Sequence, residues 1–96
     1  MATYIMLAKF TEQGIKTIKD SSKRRAAARD MAKSLGGGIK EIYLTMGQYD
    51  IVAIAEAPDD EAAAKLMLQV GMQGNLSTQT LRAFDESATE ALLSAL

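Results

Sequence analysis

The sequence predicts an α+β fold in which strands and helices follow the order β-α-β-β-α-β, with a further helix at the end. Four segments have the apolar or alternating composition of strands, and amphipathic segments follow the first and third of them. Glycine or proline marks most of the boundaries between these segments. A chain of 96 residues has room for one hydrophobic core, so residues 1–96 are expected to form a single domain.

The N-terminal third supplies the first strand and the first helix. Residues 3–10, TYIMLAKF, are largely apolar at both alternating positions, which predicts a strand covered on both faces. Residues 11–22 are polar and broken by Gly14, and they predict a loop or a short helical turn. An amphipathic helix is then expected from Ser22, its N-cap, to the three glycines at 36–38.

A hairpin is predicted in the middle of the chain. Residues 39–46 alternate as a second strand, and residues 49–57 form a third strand that is apolar on both faces. Gly47 and Gln48 lie between them and suit a two-residue type II′ turn, which requires glycine at its first central position.

The C-terminal part repeats the helix–strand pattern and adds a last helix. Asp59 is the predicted N-cap of the second helix, whose apolar residues recur at helical spacing. Residues 75–84 predict a fourth, more polar strand, and residues 85–96 predict a short helix. Ser87 and Glu90 have the spacing of a capping box in that last helix.

This order of elements is the ferredoxin-like plan. Right-handed crossovers place strands one and three at the centre of an antiparallel sheet of order 4-1-3-2. Two helices can cover only one face of that sheet, yet its central strands are apolar on the other face as well. Because a bare apolar face is unusual on a monomer, we expect a homodimer forming a dimeric α/β barrel, or a larger homo-oligomer.

Composition excludes several kinds of chemistry. The chain has no cysteine and no histidine, so disulfides, thiolate sites and the usual nitrogen ligands of metals are missing. No metal and no cofactor are therefore expected. No apolar run approaches the roughly 20 residues that cross a bilayer, and the N-terminus has no signal-peptide pattern. A cytoplasmic protein that does not enter a membrane is expected.

The small net charge hides an asymmetry between two halves of the chain. Residues 9–40 carry a net charge of +6, whereas residues 41–96 carry −7. Four cations crowd the start of the first long helix, where they oppose its dipole: Lys23, Arg24, Arg25 and Arg29. A solvated face is the simplest interpretation, and an anion site or an acidic partner is the alternative. The cluster lacks interleaved aromatic residues, so nucleic-acid binding is not expected.

Five ordered segments resemble a known family, the GYD domain, which is named for a glycine–tyrosine–aspartate motif. The segments are TEQGIK, SLGG, TMGQYDIVAIAEAPDDEAA, QGN and TLRAF. The motif stands here as Gly47, Tyr49 and Asp50, with Gln48 inserted. The resemblance covers nearly the whole chain and implies a dimeric α/β-barrel fold. It implies no activity.

A second, weaker resemblance covers residues 39–84. The stretch TMGQYDIVAIAEAPD is similar to a strand of the effector-binding domain in Lrp/AsnC-type regulators. That resemblance implies the same β-α-β-β-α-β plan and a ligand between subunits. No helix-turn-helix segment stands before the first strand, so we expect a stand-alone module.

The Tyr49–Asp50 pair is interpreted first as a structural corner. Adjacent residues on a strand point to opposite faces, so the two side chains cannot line one pocket together. Asp50 is expected to face the helices with Val52 and Ile54, and to accept backbone N–H bonds. Tyr49 is expected on the face of the sheet that the helices leave uncovered, alongside Ile51 and Ala53.

Six residues are candidate ligand contacts: Tyr43, Tyr49, Asp50, Asn75, Thr11 and Gln13. Tyr43 and Thr45 should share the face of Tyr49, beside the small residues of the third strand, Ala53, Ala55 and Ala57. Those small residues leave room either for close subunit contact or for a ligand. Asn75 is either an ordinary turn residue or an amide that orients a carbonyl or carboxylate at the mouth of a cavity.

The functional hypothesis is a module that binds a small organic molecule at or near the subunit interface, or simply self-associates, without catalysis. The ligand would lie between the sheet and the helices or at the subunit interface, bordered by Tyr43, Tyr49 and Asn75. One alternative is a cofactor-independent monooxygenase or isomerase with Tyr49 or Asp50 as acid–base group. The absence of histidine and tryptophan counts against it, and no catalytic residue is assigned. The other alternative is a purely structural self-association domain.

Overall fold

A computed structural model describes residues 1–96 as a four-stranded antiparallel sheet with flanking helices. The strands are β1 (Ala2–Phe10), β2 (Gly38–Leu44), β3 (Ile51–Ala57) and β4 (Leu76–Ala83). The helices are α1 (Glu12–Lys16), α2 (Ser21–Ser34), α3 (Asp60–Met72) and α4 (Glu86–Ser94), with a single 3-10 turn at Ile18–Asp20. The strand order is β2-β3-β1-β4, which confirms the predicted ferredoxin-like sheet. None of the helices has the length and apolar character needed to span a bilayer.

The pairing of β1 with β3 decides which side chains lie beneath the helices. Met6 lies opposite Ala53, and both line a space bounded by α2 and α3. Val52 and Ile54 therefore lie on the other face, so the prediction that they face the helices was wrong. Strand β3 is apolar at every position from Ile51 to Ala55, so alternation could not distinguish the two faces.

The core beneath the helices is built mainly from alanine. Nine of the 96 residues are buried, and six of these are alanines, among them Ala53, Ala55 and Ala57. The prediction that these three alanines lie on the uncovered face was therefore also wrong.

The opposite side of the sheet carries an uncovered apolar surface, here termed the open face: Ile5, Leu7, Tyr43, Val52, Ile54 and Leu81. Ile5 pairs with Ile54 across β1 and β3, and both remain partly exposed. Tyr43 and Leu81 extend the surface towards the two edges and are 49% and 40% exposed. An apolar face does exist as the sequence predicted.

The connection between β2 and β3 is longer than predicted. Asp50 is anchored to β1, because its N–H donates to the carbonyl of Ala8 at 2.8 Å. The N–H of Thr45 donates to the carbonyl of Asp50 at 2.8 Å and closes a four-residue loop over residues 46–49. Gly47 has φ of +149°, a region that favours glycine. The prediction of a two-residue type II′ turn was therefore wrong, although the positive φ explains why a glycine is needed at position 47.

Aspartates cap the two later helices. Asp59 accepts a hydrogen bond from Ala62 N at 2.9 Å, which confirms it as the N-cap of α3. At α4 the cap is Asp85, which accepts from Ala88 N at 2.8 Å. The predicted capping box was wrong, because the extended backbone of Asp85 already places a carboxylate at the first turn.

Candidate functional site

An apolar cavity of about 90 Å³ lies between the sheet and helices α2 and α3. Met6, Ala8, Ile42 and Ala53 contribute to its sheet side, and Ala28, Met31, Leu66 and Val70 to its helix side. Alanine occurs on both sides, and this explains why the space is not filled. Larger side chains at Ala8, Ala28 or Ala53 would occupy it.

Six polar side chains also line this cavity: Ser21, Arg24, Arg25, Gln73, Asn75 and Thr78. Thr78 lies on β4 opposite Ala8. The other five come from the start of α2 and from the segment between α3 and β4, and this end of the cavity is here termed the rim. A mostly apolar lining with a few polar groups is the usual composition of a small-molecule site.

Arg24 is held at the rim by the backbone. Its guanidinium donates to the carbonyl of Gly14 at 3.2 Å and to the carbonyl of Thr17 at 2.7 Å. It also contacts the Thr17 hydroxyl. The side chain is partly buried. These bonds fix the direction of the guanidinium while leaving its charge unpaired.

Arg25, the next residue, is more exposed but also tethered. It donates to Ser21 Oγ at 3.0 Å and to Ser22 Oγ at 3.2 Å. The ion pairs of the chain join Lys16 to Glu12, Lys40 to Glu56 and Lys65 to Glu61. No carboxylate therefore neutralises the two arginines at the cavity rim.

Three of the predicted contact residues meet beside this rim. Gln13 Nε2 donates to Asn75 Oδ1 at 2.9 Å, and Thr11 Oγ1 donates to the carbonyl of Gly74 at 2.6 Å. Gly14 allows the close approach, because a Cβ there would lie 2.0 Å from the Asn75 carbonyl oxygen. Asn75 lines the cavity, whereas Thr11 and Gln13 fasten α1 to the segment before β4.

Asp50 occupies the structural corner that the sequence indicated. Its Oδ2 accepts a hydrogen bond from Phe10 N at 2.9 Å, at the end of β1. The N–H of Asp50 also donates to the carbonyl of Ala8. The two bonds join the loop that carries the Gly47–Tyr49–Asp50 motif, here termed the GYD loop, to strand β1. The carboxylate points to the backbone, as predicted, and does not line the cavity.

Tyr43 and Tyr49 lie over the open face, as predicted, and far from the cavity lining. Tyr49 donates its hydroxyl to Gln79 Oε1 at 2.8 Å, and Lys9 Nζ lies 5.5 Å from its ring centroid. Tyr43 donates to the carboxylate of Glu41. That hydrogen bond, followed by the carboxylate charge, raises the pKa of Tyr43 above its ordinary value.

The contact between Tyr4 and Asp60 was not predicted from the sequence. Tyr4 is buried, and its hydroxyl donates to Asp60 Oδ1 at 2.5 Å, which ties β1 to the start of α3. Burial, followed by the hydrogen bond to Asp60, raises the pKa of Tyr4 above its ordinary value. Arg82 lies 5.6 Å from the Tyr4 ring centroid. Tyr4 and Asp60 are 56 positions apart in the chain, so no local sequence pattern could predict their contact.

The six predicted contacts therefore fall into separate places. Asn75 lines the cavity with Thr11 and Gln13 beside it, Tyr43 and Tyr49 lie over the open face, and Asp50 lies in the corner that joins the β2–β3 loop to β1. Arg24 and Arg25 were recognised from the sequence as cations that oppose the helix dipole. The cavity beside them was not predicted.

These features define a ferredoxin-like domain with one open apolar sheet face and one cavity under its helices. The chain belongs to the GYD domain family, whose profile matches residues 4–93. The match covers the Gly47–Tyr49–Asp50 loop and nearly every other element.

A relative has a name that describes binding. The "Glutamine synthetase and cystathionine beta-lyase binding protein" of Thermus thermophilus is 30% identical over 84 residues. The aligned part covers 86% of this chain and 88% of that protein. The name describes that protein's partners.

Solved structures with this fold include MtbAldR and FFRP-DM1. MtbAldR has a TM-score of 0.70 at 10% identity, over 88% of this chain and 52% of its own, so this chain spans about half of it. FFRP-DM1 has a TM-score of 0.63 at 19% identity, over 88% of this chain and 100% of its own. Both are Lrp/AsnC-like ferredoxin folds. At these identities the likeness concerns the fold alone.

Proposed function

We propose that the chain is a non-catalytic binding module that forms a homodimer or larger homo-oligomer and holds a small organic molecule in each protomer. The observation that carries the proposal is the cavity under α2 and α3, in which 12 of the 18 lining residues are hydrophobic. Of the two ligand locations that the sequence left open, the proposal adopts the one between the sheet and the helices, beside Asn75.

Self-association is supported by the open face. Ile5, Leu7, Val52 and Ile54 form adjacent cross-strand pairs in the middle of the sheet and stay partly exposed. Each fully covered aliphatic side chain of this size contributes about 1.5–3 kcal/mol. A second copy placed face to face would bury the same residues on both chains, as a two-fold interface does.

The contacts of the acid–base candidates favour binding over catalysis. Asp50 uses a carboxylate oxygen to hold the Phe10 N–H, and the Tyr49 hydroxyl is bonded to Gln79. Neither residue lines the cavity. An enzyme would need its proton-transfer group within hydrogen-bond reach of the reacting atom.

A second candidate function is binding to other proteins, and the name of the Thermus thermophilus relative favours it. Because the identity is 30% over most of both chains, the two enzymes in the relative's name are the partners to test first. The test is size-exclusion chromatography of this chain mixed with glutamine synthetase or cystathionine β-lyase, each purified from the organism that encodes this chain. Co-elution would support the candidate, and separate elution would remove it.

Native mass spectrometry of the purified chain tests the main proposal, because it reports both oligomer mass and retained ligand. We expect a dimer or a multiple of it, carrying a small mass that leaves on activation. Ile54→Glu places charge on the open face and should yield monomer. Leu68→Glu is the matched control, because Leu68 lies on α3 and is already 60% exposed.

A wild-type monomer would contradict the self-association part of the proposal. A dimer without added mass, whose cavity also takes up no small molecule in titrations, would favour the purely structural alternative.

A further inference from the structure

We infer that the cavity accepts a small carboxylic acid with an apolar body, and that Arg24 and Arg25 bind the carboxylate at the rim. The inference rests on the proposed binding function and names its ligand class. It draws on three observations: the size of the cavity, the apolar lining, and the two unpaired guanidinium groups.

Size and lining restrict the body of the ligand. The cavity measures about 90 Å³, whereas an apolar cavity of about 150 Å³ is large enough to bind benzene. A branched body of about four carbons is the corresponding size. The lining is formed mainly by alanine, leucine, isoleucine, valine, methionine and phenylalanine side chains, and Thr78 is the one polar side chain outside the rim. A polar body such as a sugar would leave its hydroxyl groups without partners there.

The charge at the rim selects the head group. An arginine has five N–H donors, and the bonds of Arg24 to Gly14 and Thr17 account for three of them. Arg25 bonds only to two serine hydroxyls. Each guanidinium retains donors for a carboxylate, which arginine binds through charge-assisted hydrogen bonds. An amine head group would be repelled by the same charges.

Two details of the rim suit a bound carboxylate. Arg24 is held by backbone carbonyls, so little side-chain freedom remains to be lost on binding. Asn75 accepts from Gln13 through Oδ1, which leaves its Nδ2 as an additional donor beside the cavity. The acids of the chain that form ion pairs are Glu12, Glu56 and Glu61, and none of them lines the cavity.

The test is an NMR titration of the ¹⁵N-labelled full chain with 3-methylbutanoate at neutral pH. The neutral isostere 3-methylbutanamide is titrated in parallel. We expect the acid to bind at least about tenfold more tightly, because the carboxylate accepts charge-assisted hydrogen bonds that are stronger than those of a neutral amide. Amide signals of cavity residues such as Ala28 and Ala53 should shift, and those over the open face should not.

Three variants locate the binding. Ala28→Leu fills the cavity from α2 and should abolish binding of both compounds. Arg24→Gln should weaken the acid about tenfold and leave the amide unchanged. Lys23→Gln removes a neighbouring charge that lies outside the cavity lining and should change neither affinity. If Arg24→Gln fails to fold, the acid–amide comparison on the wild-type chain still decides the question.

The outcomes separate this inference from the function on which it rests. Equal affinity for acid and amide, or an effect of Lys23→Gln as large as that of Arg24→Gln, would overturn carboxylate recognition while the cavity remained a binding site. Shifts confined to the open face, or no binding of either compound, would overturn the inference. In that case native mass spectrometry would still measure the mass of the dimer and of any retained ligand. The proposed binding function would thus be tested independently of the inference.

Discussion

At the scale of single residues, Asp50 explains why the GYD loop needs an acid. Its carboxylate accepts from Phe10 N at 2.9 Å and its own N–H donates to Ala8. One residue thus joins the β2–β3 loop to β1 through two hydrogen bonds. Tyr49, beside it, extends over the open face instead. The tyrosine and the aspartate serve opposite sides of the sheet.

Replacing Asp50 should therefore reduce stability. We expect Asp50→Ala to lower the free energy of unfolding by about 2 kcal/mol, because it leaves the Phe10 N–H without its charged acceptor. Asp50→Asn keeps an oxygen acceptor and should cost about half as much. Urea unfolding at one fixed protein concentration measures both.

Asp30→Ala is the control for the Asp50 variants. Asp30 is exposed on α2, so its removal should change the free energy of unfolding by less than about 0.5 kcal/mol. If Asp50→Ala proved as mild as Asp30→Ala, the corner would not depend on this carboxylate.

At the scale of elements, α3 and α4 are capped alike but packed differently. Asp59 and Asp85 each accept one backbone N–H at their helix start. Helix α3 buries Ala63 and Leu66 against the sheet. Helix α4 buries no residue, and Leu93 remains 54% exposed. The same cap should thus matter to different degrees in the two helices.

Paired alanine substitutions test this difference. Asp59→Ala should lower the free energy of unfolding by about 1 kcal/mol, the usual effect of losing an N-cap on a packed helix. Asp85→Ala should lower it by less than about 0.5 kcal/mol, since α4 can fray without exposing the core. Hydrogen exchange at residues 86–94 would report the fraying directly. An equal loss in both variants would mean that α4 is packed against another chain.

At the scale of the whole molecule, the isolated chain has little buried surface to stabilise it. Nine of its residues are buried, and most of these are alanines. Small domains already bury a low fraction of their unfolded surface. Covering the open face would therefore add stability.

If association supplies that stability, unfolding must depend on protein concentration. We expect the urea midpoint of the wild-type chain to rise with concentration, with a tenfold increase adding about 1.4 kcal/mol per mole of dimer. Ile54→Glu should have a lower midpoint that no longer depends on concentration. A wild-type midpoint that stays constant over a hundredfold range would contradict this expectation.

Much of the candidate site depended on distances that a sequence does not contain. Asn75, Thr11 and Gln13 were each selected as polar loop residues, but only the fold brings Gln13 within 2.9 Å of Asn75. Arg24 was recognised by its charge, and its position over a cavity follows from how α2 lies on the sheet. Tyr4 and Asp60 were missed because β1 and α3 are distant in the chain.

The four strands and the three longer helices were predicted in their correct order, because apolar spacing, capping residues and glycines act over a few neighbouring residues. The sheet order could be predicted as well, since crossover handedness leaves few alternatives. Which face of β3 lies under the helices became clear from the three-dimensional fold alone. A one-residue change in strand pairing exchanges the two faces, and here both are apolar. The positions of Ala53, the cavity and its arginine rim all follow from that choice.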